Sequence, residues 1–502
     1  MSDKRQVVLI MTDTTRKDMV GCYNPGMITP NIDRLAEEGI CYENAYTCQP
    51  VCGPARSALF TGTFPHTNGM VTNCVSLRKD AKTVGEWLSA QGIHCGYIGK
   101  WHLDGGDYFG YGICPEGYDP EYWYDMKCYL DELTPEERVK SRQSETSFEE
   151  GMSEEFTYAH RCTNRAIDFV EKYKNETFFL TLSYDEPHGP SLCPAPFNTM
   201  YADYKFDDNP NYEDDLSKKP LMQRLWSGAD INKTADELNR PSKARALFLG
   251  CNTFVDYEIG RVMEVINREI PDALVIFTSD HGDMLGNHKL QMKNASAYKE
   301  IANIPLIIRG GEAGKVVTEP ASHIDMAPTV MDYLGAQIPI TMEGKSMLPQ
   351  IRNVAEKIND HVFTEFTRYE VDHDGFGGLQ MMRAIISEKY KLVIHLLDSD
   401  ELYDLEKDPY EICNLINDEA YAQIRNELHD LLIEHMNQTR DPYRGYQWEV
   451  RSWRSDLTAR WENAGYTRQR ENNPGEPRQL DYDTGLEMET AVRRKTTNDV
   501  KA

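Results

Sequence analysis

Cys52 sits in the stretch Cys48-Gln-Pro-Val-Cys52-Gly-Pro54-Ala-Arg56-Ser-Ala-Leu-Phe-Thr61-Gly62. Pro54 suits the first turn of a helix that runs to Thr61 and stops at Gly62. Cys52 then falls just before a helix N-terminus, where free N–H groups and the helix dipole favour a negative group. Arg56 lies one turn on and can brace that group. By themselves these residues describe a nucleophilic cysteine of lowered pKa, or a structural cysteine ahead of a helix. Cys48 and Cys52 also have half the spacing of a zinc knuckle, but no second pair lies at suitable spacing. Other reactive side chains follow short apolar runs: Asp13, Lys100 with His102, His188, and Asp280 with His281. Alone, His102 or His188 reads as a satisfied histidine and Lys100 as a surface charge.

The runs that precede them place them. Residues 6–12, 95–98, 177–183 and 273–278 are β-branched and apolar, and each ends in polar residues. Near-continuous apolar strands mark a parallel sheet buried on both faces, and ligands of such sheets bind at the carboxyl ends of the strands. Four strands that deliver Asp, Lys, His and Asp-His to that edge predict one shared site. Helices alternate with them. Thr29-Pro30 opens one that Gly39 stops; Thr83 and Glu86 form a capping box for the next; residues 242–269 and 325–334 supply two more. The alternation predicts an α/β fold. Beyond residue 370, three short strands and a helix over 421–436 predict a smaller antiparallel α+β unit. The expected organisation is therefore 1–370, 371–440, and an aromatic, polar tail over 441–502 holding Trp448, Trp453 and Trp461. The tail is expected to pack on the core or on a second subunit, so a homo-oligomer is open. Two acidic, tyrosine-bearing segments, 106–156 and 199–240, read as solvated insertions or as loops rimming the site.

Charge bounds the partners. The 502 residues carry 54 Lys+Arg and 81 Asp+Glu, a net charge of −27. Such a surface disfavours nucleic acid and anionic membranes, and an anionic substrate needs a local cationic island. The apolar run near the N-terminus is too short for a signal peptide, and no stretch approaches the ~18 apolar residues of a membrane span. With twelve scattered cysteines, a cytoplasmic protein is expected.

Together the motifs resemble one family. Cys52-x-Pro54-x-Arg56 with Thr61-Gly62 resembles the type I sulfatase signature. Gly99-Lys100-Trp101-His102, Pro187-His188, and Asp280-His281-Gly282 with Lys293 are similar to its later motifs, in the same order. The late segment from Glu401 to Pro409 is similar to its C-terminal strand pair, so the likeness covers about residues 1–415. The tail resembles that of cytoplasmic bacterial members of the family, including an enterobacterial group of similar length.

The resemblance implies an alkaline phosphatase-like α/β core and hydrolysis of a sulfuric ester. It implies that a separate maturase oxidises Cys52 to formylglycine, whose hydrated gem-diol attacks sulfur. The covalent sulfate hemiacetal then collapses. It implies Asp13, Asp280, His281 and residue 52 as ligands of a divalent cation, with Thr14 as a neutral oxygen ligand. Carboxylates favour calcium, while the histidine leaves manganese or magnesium open. Lys100 and Lys293 would neutralise sulfate oxygens, Arg56 would brace the diol, His102 would act as base and His188 as acid toward the leaving alcohol. Asn73, His288 and Asp325 are candidates for substrate contact or fold support. Arg368, Tyr369, Asp372 and His373 are candidates for a specificity loop. The expected substrate is a small sulfate ester, a sugar sulfate above all. Most of the family has a second Asp where Thr14 stands, and related phosphonate and phosphodiester hydrolases lack it, so those esters are the second expectation. If Cys52 stays a thiol, a non-catalytic binder of sulfated ligands is the third.

Overall fold

The four apolar runs lie side by side. Phe178–Pro187 pairs in parallel with His94–Gly99 on one side and Gln6–Asp13 on the other, and Leu274–Ser279 pairs in parallel with Gln6–Asp13. The sheet continues through Leu306–Arg309, Ile40–Tyr42 and Lys315–Val317, seven strands in all, with Leu306–Arg309 antiparallel to its neighbours. This computed structural model describes residues 4–106, 108–370, 378–454 and 456.

Alternation along the central strand fills two cores. Val8 and Ile10 enter the cluster holding Phe169, Phe254 and Val262 from the helices Tyr158–Tyr173 and Lys243–Glu269. Val7, Leu9 and Met11 enter the cluster on the other face, with Leu59, Leu88 and Val330 from Cys52–Thr61, Val84–Ser89 and Met326–Leu334. Every residue of Gln6–Asp13 is buried, so period-two alternation of burial is absent, as a sheet covered on both faces requires. The expected caps form: Thr83 and Glu86 make a capping box, and Gly62 takes the left-handed conformation that ends Cys52–Thr61.

The smaller unit is a four-stranded antiparallel sheet, His361–Phe366, Met382–Ser387, Tyr390–His395 and Glu401–Asp404. Its first strand lies ahead of residue 370, so the sheet begins earlier in sequence than the strand pattern suggested. One face packs Ile385, Leu392, Ile394 and Leu402 against Leu428, Leu432 and Met436 of the helix Ala422–Gln438. The other face, with Phe366, Met382, Ala384 and Val393, packs on Val51, Ala295 and Ala297. Those residues flank Cys52 and follow Lys293, so the small sheet buttresses two parts of the reactive edge. Trp448 and Trp453 join the same unit: their indole N–H groups donate to the Tyr443 carbonyl at 2.9 Å and to Asp400 at 2.8 Å. Trp461 lies outside the described residues. Among the described residues no helix is long and apolar enough to cross a membrane.

Candidate active site at the strand ends

Asp13 ends the central strand, and Asp280 with His281 follows its neighbour. Cys52 is the first residue of the ten-residue helix Cys52–Thr61, whose N-terminus faces them. The Cys52 sulfur lies 3.2 Å from His281 Nε2 and 3.8 Å from Asp13 Oδ1. Lys293 Nζ donates to it at 2.8 Å. Burial and Asp13 push this thiol up, but Lys293, Lys100 and His281 outweigh them and hold it at about 5. Cys48, four residues earlier, is the opposite case: burial pushes its thiol up, and its sulfur meets the neutral Ser322 Oγ, at 3.3 Å, and the Ile324 backbone. Thus the environment, not the residue type, marks Cys52 as the reactive position.

The ligand atoms of Asp13, Cys52, Asp280 and His281 lie within 4.8 Å of one another, and all four residues are buried. His281 Nδ1 donates to the Gly282 carbonyl at 2.8 Å, which leaves the Nε2 lone pair facing the cluster. Two carboxylates, one imidazole nitrogen and residue 52 make a donor set that fits a divalent cation. Thr14, at φ 71°, donates its hydroxyl to Asp13 Oδ1 at 2.6 Å, and its amide donates to Asp280 Oδ1 at 3.1 Å. Its backbone and hydroxyl therefore aim both carboxylates.

Arg56 sits elsewhere than its spacing from Cys52 suggested. Fully buried, it donates to Asp280 Oδ2 at 3.0 Å and Asp13 Oδ2 at 3.3 Å, and to the Lys100 carbonyl and Ser183 Oγ at 2.8 and 2.7 Å. It braces the two carboxylates from behind instead of touching residue 52. Removing one partner of such a buried pair costs about 3–5 kcal/mol, so Arg56 is also a structural keystone. Lys100 reaches Asp13 Oδ2 at 2.6 Å and Asp185 Oδ1 at 3.1 Å. Its aim depends on Gly99, at φ 113°, where a Cβ would lie 1.8 Å from the Ser183 carbonyl oxygen.

His102 and His188 flank this cluster. His102 is buried and its Nδ1 has no partner among the described residues; burial, Lys100 and Arg56 push it down to about 3, so it is a neutral base at pH 7. His188 Nδ1 lies 3.1 Å from the Gly189 carbonyl and 3.2 Å from the Tyr108 hydroxyl; burial and Lys100 hold it at about 4. Tyr108 and Asp185 were not singled out by the sequence. Tyr108 donates to Asp185, stacks on His188 with ring centroids 5.0 Å apart, and lies under Lys100 Nζ, 4.0 Å from its centroid. Asp185 had a legible signal, since it ends the same strand as His188. Tyr108 had none beyond its place in the 106–156 insertion, which rims the site.

The remaining candidates separate cleanly. Asn73 Oδ1 accepts from the Gly53 amide at 2.9 Å and so fixes the start of the Cys52 helix. His288 stacks on Tyr298 at 3.8 Å and bonds Asp214 at 2.7 Å, and Asp325 accepts from Ser322, Lys345 and Asn359; both support the fold. Arg368 turns its Nε to the Glu370 carbonyl at 3.2 Å, while Tyr369 lies 5.7 Å from Lys293 Nζ. Asp372 and His373 lie outside the described residues.

The chain is similar to known proteins in sequence and in fold. Residues 5–336 match the family model described as Sulfatase, and residues 286–438 match N-sulphoglucosamine sulphohydrolase, C-terminal. The chain is 44% identical over 491 residues to an uncharacterized sulfatase, YidJ, of Escherichia coli (strain K12), covering 95% of this chain and 96% of that one. It is 26% identical to an N-acetylglucosamine-6-O-sulfatase of Bacteroides thetaiotaomicron, over 87% of each chain. Its fold matches the crystal structure of a phosphonate monoester hydrolase of Agrobacterium radiobacter with a TM-score of 0.73 at 24% identity, over 87% of this chain and 96% of that one.

Proposed function

The chain belongs to the sulfatase family and is a sulfuric ester hydrolase, and from that premise we propose that its substrate is a small sulfated sugar and its nucleophile a formylglycine made from Cys52. The relative acting on N-acetylglucosamine 6-O-sulfate supports the sugar. One observation carries the nucleophile: the Cys52 sulfur, at a helix N-terminus, is met at once by Lys293, His281 and Asp13. Formylglycine would supply a hydrated aldehyde as nucleophile toward sulfur, and a bound divalent cation, calcium before manganese or magnesium, would supply Lewis-acid polarisation of the ester.

The chain's own residues do the rest. Asp13, Asp280 and His281, with residue 52, would hold the cation, and Thr14 keeps both carboxylates aimed. Lys100 and Lys293 neutralise sulfate oxygens, and the Arg56 guanidinium keeps the paired acids charged behind them. His102, neutral and with Nδ1 unpartnered, takes the proton that residue 52 must lose. His188 is neutral before substrate arrives. The negative charge of a bound sulfate raises its proton affinity, so it then protonates the leaving oxygen. The eleven cysteines other than Cys52 are free thiols, two of them, Cys22 and Cys413, exposed, and they suit a reducing cytoplasm.

The test is peptide mass spectrometry across residue 52 of protein from its native host, paired with turnover of matched aryl sulfate and aryl phosphonate esters. Conversion of Cys52 and preference for the sulfate are expected. An unmodified thiol throughout, or preference for the phosphonate, would overturn the reading. Chelation followed by metal re-addition ranks the cations, with calcium expected to restore most activity.

A further inference from the structure

The net charge of −27 makes any cation left without an acid informative, and Arg142 is one. Its guanidinium lies 5.2 Å from the ring centroids of both Tyr108 and Phe109. Among the described residues it makes no ion pair and no side-chain hydrogen bond. Nearby arginines behave differently: Arg161 and Arg165 are each neutralised by Glu132, at 2.9 and 2.7 Å. Arg142 is partly buried, and on its inner side it lines a water-sized cavity of about 20 Å³ together with Ser141, Asp185, Glu186, His188 and Ser191, so an anionic group would have to meet it from the open side. Two acids share that wall: Asp185 feels the Arg142 charge without forming an ion pair with it among the described residues, and Glu186 is held neutral. Asp185 is already paired with Lys100 at 3.1 Å and bonded by Tyr108. Glu186 is pushed up to about 8 by burial and by Asp185, so it is protonated at neutral pH, and its Oε2 has no partner.

Tyr108 joins this place to the reactive edge. The same ring carries Lys100 at 4.0 Å, His188 at 5.0 Å and Arg142 at 5.2 Å. Arg142 therefore sits on the His188 side of the site, where the released alcohol leaves. A planar guanidinium backed by aromatic rings keeps its N–H fork for a carboxylate or sulfate.

We propose that Arg142, held on Tyr108 and Phe109, forms a subsite for a second anionic group on the sugar, a carboxylate or a further sulfate. This rests on the sugar sulfate reading above and narrows it to doubly charged substrates. It also gives the acidic insertion 106–156 a role in choosing the leaving group.

The test measures binding by calorimetry on full-length protein carrying Cys52→Ala, which removes the nucleophile. The probes are monosaccharides with one sulfate at position 2, 3, 4 or 6, and the same sugars with a second sulfate or a C6 carboxylate. The readout is the affinity ratio of the best doubly charged probe to the best singly charged one. Arg142→Gln is expected to lower that ratio about tenfold, with Arg142→Lys recovering part of it. Arg165→Gln removes an equal charge nearby and is expected to leave the ratio in place. An unchanged ratio in Arg142→Gln, an equal fall in Arg165→Gln, or no binding of any probe overturns the subsite. If the ratio shifts as expected while the intact enzyme hydrolyses no sulfate ester, the proposed activity fails and the subsite stands.

Discussion

At the strand ends, Asp13, Cys52, Asp280 and His281 turn their donor atoms toward one point; on the helices, Glu154, His160 and Glu258 do the same. The two sets differ in where the arginine stands. In the helical set Arg261 occupies the middle, with Nη1 2.6 Å from Glu258 and 2.9 Å from His160 Nδ1. At the strand ends Arg56 stands behind the carboxylates, on their Oδ2 atoms, and leaves Oδ1 of each facing His281 Nε2. The same residue types thus make a filled ion cluster in one region and an open donor set in the other. A count of acids and histidines does not separate them; the placement of one guanidinium does.

The contrast breaks hardest at Asp280. Asp280→Asn removes a donor from the open set, and aryl sulfate turnover should fall by at least ~10²-fold, with chelator no longer shifting the melting temperature. His160→Gln should do neither; matching losses would erase the distinction. Next comes Arg261→Ala, which leaves the fully buried Glu258 side chain with His160 Nδ1, at 2.9 Å, in place of its arginine. Urea unfolding should show a loss of about 2–3 kcal/mol, the low side for a broken buried pair because Arg261 is partly solvated, with kcat/KM retained.

Glu186 sharpens the comparison from between the two clusters. Burial, then Asp185 and Glu258, raise its carboxyl from 4.5 to about 8. The folded state binds this proton more tightly, so its contribution is complete below 4.5 and is lost as pH rises through 8. Glu186→Gln keeps the neutral form, so thermal melts should show a shallower decline between pH 5 and 8. An unchanged slope would mean that Glu186 is ionised in the fold. The smallest effect is expected at Asn73: Asn73→Ala leaves the Gly53 amide without its acceptor and should lower kcat/KM roughly fivefold, the equivalent of about 1 kcal/mol. A melting temperature that falls while kcat/KM holds would make Asn73 a fold residue alone.

How far the sequence went follows from the range of the forces. Gln6–Asp13, Phe178–Pro187 and Leu274–Ser279 are buried along their whole length, and that burial writes a continuous apolar run. Their ends carry the acids and histidines of the site, so these were legible too. Ile40–Tyr42, Leu306–Arg309 and Lys315–Val317 are three or four residues long and find partners far away in the chain, with no nearby turn to announce them. His361–Phe366 pairs with a strand that begins sixteen residues beyond its own end, so it looked like part of the first unit. Within the site, the one-turn offset of Arg56 from Cys52 suggested contact, whereas helix orientation turns the guanidinium toward Asp13 and Asp280. Tyr108 owes its place to a loop and Arg142 to the turn after the helix Pro135–Lys140, and how these meet the strand ends is something no spacing rule encodes.

Tyr108 has one more consequence. Among the described residues, the stretch between His94–Gly99 and Phe178–Pro187 adds no strand to the sheet, yet its tyrosine touches Asp185, His188 and Lys100 together. The machinery for breaking the ester and the wall that meets the departing alcohol therefore come from separable pieces of chain. Evolution, or a mutational library confined to 106–156, can change which ester is accepted while the sulfur-facing atoms stay where they are.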